Sequence, residues 1–219
     1  MQPTRGLWVP VPPEYRAWGA PPGIEIVDMI MRHRSIDYSV GWLSAAALHG
    51  AAHQAPQVFH VAVDRQIRNR TVGRTKFSFA QRSVADIPTT THPTRDGTAQ
   101  VSTIAATMLD VAADMQRAAG IDNAATVIIE LSEQEAFDVA SLAQLAPTFP
   151  AAAGRRVGWL LSRFTGRDDL SPLKDTVQNL VDSPSKLDPY STVGGPIDTD
   201  WMLTTNRDVE PDSWSQPTP

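Results

Sequence analysis

The chain has 219 residues, long enough for one large domain or two small ones with a real hydrophobic core. Hydrophobic residues make up 42% and charged residues 20%, with a formal net charge of −5, so bulk charge does not point to nucleic acid or a membrane surface. There is no cysteine, which excludes disulfides, thiolate zinc sites, iron–sulfur clusters and a Cys nucleophile. No apolar run approaches the roughly 20 residues of a membrane span, and the N-terminus lacks a signal-peptide core, so the expected location is cytoplasmic.

Gly6 to Val9 could form a short strand, but Pro10, Pro12 and Pro13 follow at once and Pro21-Pro22-Gly23 soon after. Each proline lacks a backbone donor, so this stretch is an edge or an extended linker, as at a domain boundary. Ile24 to His33 then predicts a helix, with Val27, Ile30 and Met31 on one face. A second helix is expected from about Gly41 to His53, with Ala45, Leu48 and Ala52 as a narrow apolar stripe, ended by Pro56. Val58 to Val63 alternates as a half-buried strand.

Arg65 to Arg82 is the one basic segment, carrying Arg65, Arg68, Arg70, Arg74, Lys76 and Arg82 with no acid among them. Thr75, Phe77 and Phe79 alternate within it, which predicts a hairpin turning near Thr71-Val72-Gly73. Asp86 to Gly97, rich in Thr and Pro, reads as a loop or irregular edge. Ser102 or Thr103 should cap a long helix ending at Gly120, followed by a short helix over Ala124 to Leu131. Ser132 with Glu135 has the spacing of a capping box for a further helix stopping before Pro147. Val157, Leu160, Leu161 and Phe164 give a helix from Ala151 to Phe164 whose outer face would carry Arg155, Arg156 and Arg163. Ser171-Pro172 starts the next, ended by Pro184, and Trp201 to Leu203 is the expected last strand. The whole reads as α/β with an α+β tendency: a small mixed sheet and a helix-rich C-terminal half.

Few patterns carry chemistry. His49 and His53 stand at i, i+4, a spacing that can hold zinc, but no Glu follows His49 and no third ligand is in view, so the pair reads as packing. Asp198-Thr199-Asp200 after Gly194-Gly195 resembles a nucleotidyltransferase motif, yet only Pro196 and Ile197 separate the two, too few for the helical turn that aims carboxylates at Mg²⁺; it reads as a polar turn. Phosphate-binding loops, nucleophile elbows and dinucleotide fingerprints are absent, so neither catalytic residues nor a cofactor nor a metal is expected. The basic hairpin remains: a solvated face, a contact for an acidic protein surface, or an electrostatic site for nucleic acid. Arg155, Arg156, Arg163 and Arg167 form a second cationic group.

Tyr38, Leu43, Ser44, Ala45, Leu48, His49, Gly50 and Pro56 match a Y-x-x-x-x-L-S-A-x-x-L-H-G…P pattern. Leu109-Asp110, Arg156-Val157-Gly158 with Leu160-Leu161, and Trp201, Leu203, Asn206, Glu210 and Asp212 continue it in order. In these residues the chain resembles the AbiEi family of antitoxins, over about Gly6 to Asp212. The resemblance implies a non-enzymatic antitoxin that neutralises a cognate AbiEii-like nucleotidyltransferase toxin, by protein interaction or by acting on the toxin's state. It also implies a domain plan: a wing-strand remnant and Pro-rich linker over 1–23, the antitoxin α/β domain over 24–212, and a flexible tail over 213–219. Some members repress their own promoter through an N-terminal winged helix, the alternative role. Here only Arg5 to Val9 would remain of that module, without its recognition helix, which argues against DNA reading. The chain is expected to be a monomer when free. Charge nominates Arg65, Arg68, Arg70, Arg74, Lys76, Arg155 and Arg156 as partner contacts.

Overall fold

The computed structural model describes residues 1–51, 56–180 and 182–212. The chain divides into two compact units, Met1–Ala47 with His53–Thr103 and Leu48–Ala52 with Ile104–Pro219.

The first unit is a six-stranded mixed sheet with helices. After a 3-10 turn over Pro13–Trp18 come α1 (Gly23–His33), β1 (Tyr38–Val40), α2 (Trp42–Leu48), β2 (Val58–Val63), β3 (Arg70–Val72), β4 (Thr75–Gln81), β5 (Thr89–Thr94) and β6 (Gly97–Ser102). The strand order is β3-β4-β2-β1-β6-β5. Parallel pairing of β2 with β4 sets Phe59 beside Phe77 and Val61 beside Phe79, so both alternating patterns point their apolar residues to one face. Helix α1 turns Ile26, Val27, Ile30 and Met31 inward, all fully buried. Its first residue sits so close to the sheet that a Cβ on Gly23 would lie 2.9 Å from the Phe59 ring. The Tyr38 hydroxyl donates to Asp28 at 3.0 Å and accepts from the Gln100 amide at 3.2 Å, tying α1 to β1 and β6. Burial holds that phenol protonated, raising its pKa.

Strand β1 is only three residues long, because the chain swings into α2 through Trp42 at φ 50°. Beyond its end β2 needs another partner. Ser44 of α2 supplies one: its hydroxyl accepts from the His60 amide at 2.8 Å and donates to the Val58 carbonyl at 3.3 Å.

The second unit holds α3 (Ile104–Ala113), α4 (Ile121–Ser132), α5 (Val139–Leu145), α6 (Ala151–Phe164) and α7 (Ser171–Gln178). A small sheet of β7 (Ser185–Lys186), β8 (Ile197–Asp198) and β9 (Leu203–Thr204) follows, in the order β7-β9-β8. Helix α6 lies against α3, α4 and α7 and is buried on most of its circumference.

Several local expectations are corrected. Asp86 to Gly97 is not an irregular loop: β5 and β6 form a regular hairpin there, turning at Arg95-Asp96. The β-branched threonines favour extended backbone, and Pro93 is tolerated because β5 is an edge strand. Arg5 to Val9 makes no strand; a single bridge joins Thr4 and Leu7. The helix expected to reach Gly120 ends at Ala113, because Asp114 turns its carboxylate back onto the Arg117 amide at 3.1 Å, offering the backbone an alternative to the helix. Ser132 is the last residue of α4 and donates to the Ile129 carbonyl; the cap of α5 is Asp138, which accepts from the Ala140 and Ser141 amides. Helix α2 ends at Leu48, and the final strand is Leu203–Thr204, with Trp201 in the turn before it.

Candidate interaction surface

Arg155 and Arg156 do not form an outer face. They are 0% and 5% exposed, and both guanidiniums are spent inside the second unit. Arg156 donates to the Ala112 carbonyl at the end of α3 at 2.8 Å, to the Leu187 carbonyl at 3.0 Å, and twice to the Lys186 carbonyl at 3.1 and 2.9 Å. Burial lowers its pKa to about 10, far enough above neutrality that it remains charged. Arg155 donates to the Ser183 carbonyl at 2.7 Å and the Ser185 hydroxyl at 3.2 Å. These cations therefore stitch α3, α6 and the β7 segment together and are not available to a partner. Arg167 is likewise engaged, paired with Asp169 and lying over the Phe137 ring at 4.9 Å.

The basic hairpin is where expected, with Gly73-Arg74 as its two-residue turn. Its cations differ in what they can offer. Arg65 turns back to Asp64 at 3.2 Å and donates to the Ser35 carbonyl at 2.9 Å. Arg70 opposes buried Phe77 on the inward-facing side, donates to the Pro3 carbonyl at 3.3 Å, and has its pKa lowered by burial and by Arg34. Thr71 and Lys76 pair on the opposite, exposed side. Arg68, Arg74 and Lys76 are exposed and make no ion pair among the described residues. Asn69 accepts from the Phe79 amide at 2.8 Å and so fixes the loop that carries Arg68.

Charge is distributed unevenly. The first unit has 11 Lys and Arg against 7 Asp and Glu, a net of +4, while the second has 8 against 17, a net of −9. The formal −5 of the chain conceals a cationic unit.

The other motifs hold no constellation. Asp198 accepts from the Trp201 amide at 3.1 Å and Asp200 pairs with Lys174 at 2.8 Å, as suits a polar turn. His53 lies outside the described residues, so the His49–His53 pair has no geometry to describe; among the described residues no His, Cys, Asp or Glu cluster could hold a metal. A cleft of about 530 Å³ between Asp37, Asp64 and the 81–85 turn mixes both signs of charge. No helix among the described residues is long and apolar enough to cross a membrane.

A family model, the AbiEi antitoxin C-terminal domain, matches residues 39–163, more than half of the chain. The chain belongs to the AbiEi antitoxin family, and membership supports an antitoxin role. Among solved structures, the crystal structure of the RV2827C protein from Mycobacterium tuberculosis is similar in fold, with a TM-score of 0.60 at 12% identity over 84% of this chain and 67% of that one. No curated protein matches. The closing pattern Trp201 to Asp212 lies beyond the matched span and is structural. The Asn206 side chain bonds both backbone groups of Asp188, at 2.9 and 2.8 Å. The Glu210 and Asp212 amides donate to Asp122 and Thr126 of α4.

Proposed function

We propose that this chain neutralises a cognate nucleotidyltransferase-like toxin by direct protein contact, and that Arg68, Arg74 and Lys76 of the basic hairpin meet an acidic surface of that toxin. Family membership supports the antitoxin half of this reading. The contact half rests on one observation: three exposed cations on a net-positive unit have no acidic partner among the described residues. Like charges on one hairpin repel one another, and a partner's carboxylates relieve that repulsion while steering the encounter. The family model is that of the C-terminal domain, which favours antitoxin action over promoter reading.

Co-expression with the toxin encoded beside the chain tests the proposal. The triple variant Arg68→Glu, Arg74→Glu, Lys76→Glu should fold normally and fail to restore growth. Full rescue by a folded triple variant would remove the hairpin from the mechanism. Arg70 is left intact because its guanidinium holds the N-terminal segment at the Pro3 carbonyl.

A further inference from the structure

The hairpin's own sequence lacks an exposed aromatic, since Phe77 and Phe79 are buried. The fold brings one to it from the N-terminal segment. The 3-10 turn over Pro13–Trp18 ends at Gly19, whose φ of 74° lets its amide close onto the Arg16 carbonyl at 3.2 Å. That end sits directly on the hairpin tip. A Cβ at Gly73 would lie 2.5 Å from the Ala20 Cβ and 2.7 Å from the Trp18 carbonyl, so only glycine permits the approach, and its φ of 56° suits glycine as well. The Arg74 guanidinium lies 5.7 Å from the centre of the Trp18 ring, and Tyr15 packs against the indole with centroids 5.7 Å apart.

Trp18 is nevertheless 44% exposed, on a closely packed support and beside a cation that has no acidic partner among the described residues. A tryptophan held this way keeps a large apolar area in water that a partner can cover, and the entropy of fixing the ring is already spent in the fold. Trp and Arg are also the residues that most often carry the energy of a protein interface.

We infer that Trp18, seated on Arg74 at the hairpin tip, is the apolar anchor of the toxin-binding surface. The surface fits a protein face that sets carboxylates around an apolar recess sized for an indole. This rests on the proposed function and deepens it: the cations steer and Trp18 holds. Steering and holding separate kinetically, because exposed charges act on association and its salt dependence, whereas a buried anchor acts on dissociation.

The experiment is a kinetic titration of the purified chain against the toxin encoded beside it, over a range of salt. Trp18→Ala should weaken binding roughly 30-fold, mostly through faster dissociation, with an unchanged salt slope. Trp18→Phe should recover part of the loss. Hydrogen exchange on the unaltered chain gives a reading independent of any variant: amides around residues 15–20 and 73–75 should become protected in the complex. Toxin binding with unaltered affinity for Trp18→Ala and no such protection overturns the anchor while leaving the toxin reading intact. No binding to the toxin by the unaltered chain, or preferential binding of a single-stranded oligonucleotide that Trp18→Ala abolishes, overturns both.

Discussion

Arg156 shows how far a residue's type can mislead about its place. Arginine is mostly an exposed residue, and three arginines on one helix suggest a solvated face. Yet Arg156 stands four residues before Leu160, which places it on the buried stripe of α6, and the small Ala153, Gly154 and Gly158 beside it leave room for neighbouring elements. That spacing was the signal available in the sequence. What it could not show were the acceptors, because Ala112, Lys186 and Leu187 lie far away in the chain. Their carbonyls need donors wherever water is excluded, and the guanidinium fork supplies several at once. Arg156→Met keeps the stem but leaves those carbonyls without the guanidinium. Urea unfolding should show a loss of about 3 kcal/mol or more, against a change within about 0.5 kcal/mol for Arg68→Ala on the surface. Comparable stability for the two variants would contradict the structural role of Arg156.

At the scale of elements, helices with a clear apolar period were legible: α1 begins one residue from the expected start, and α6 has the expected bounds. Strand β2 and the hairpin β3–β4 follow from strict alternation. Strand β5 was not legible, since Thr and Pro signal loops as readily as edge strands and only the pairing with β6 decides. The packing of α6 on the final turn was also beyond the pattern. A Cβ at Gly158 would lie 2.0 Å from the Trp201 ring, and the Trp201 indole donates to the Ser162 hydroxyl at 3.1 Å. Gly-to-Ala in a helix interior ordinarily gains up to about 1 kcal/mol. Here the clash should reverse that sign, and Gly158→Ala should lower the melting temperature by an amount corresponding to about 1–3 kcal/mol. Calorimetry decides it; a raised melting temperature would mean that Trp201 moves freely out of the way.

For the whole molecule, the family could be reached from an ordered set of diffuse motifs; the family match over 39–163 bears the family out and thereby supports an antitoxin role. In the first unit one of those motif residues, Ser44, extends a sheet ladder; in the second, Arg156, Gly158 and Asn206 join helices to the small sheet. These motif residues hold the fold together. The surface that carries the proposed contact is different in kind. It depends on which cations lack partners and on an indole delivered from another part of the chain, and neither is visible without the fold. The net charges of +4 and −9 on the two units assign the cationic contribution to the first.

The central claim is that neutralisation proceeds through a charge-dependent complex with the toxin. Its most direct test is the affinity of the purified pair at low and at moderate salt, for the unaltered chain and for the Arg68→Glu, Arg74→Glu, Lys76→Glu variant. A complex that weakens as salt rises, and that the triple variant fails to form, is the predicted result. A complex of equal strength in all four conditions, or growth rescue with no complex at any salt, would contradict it.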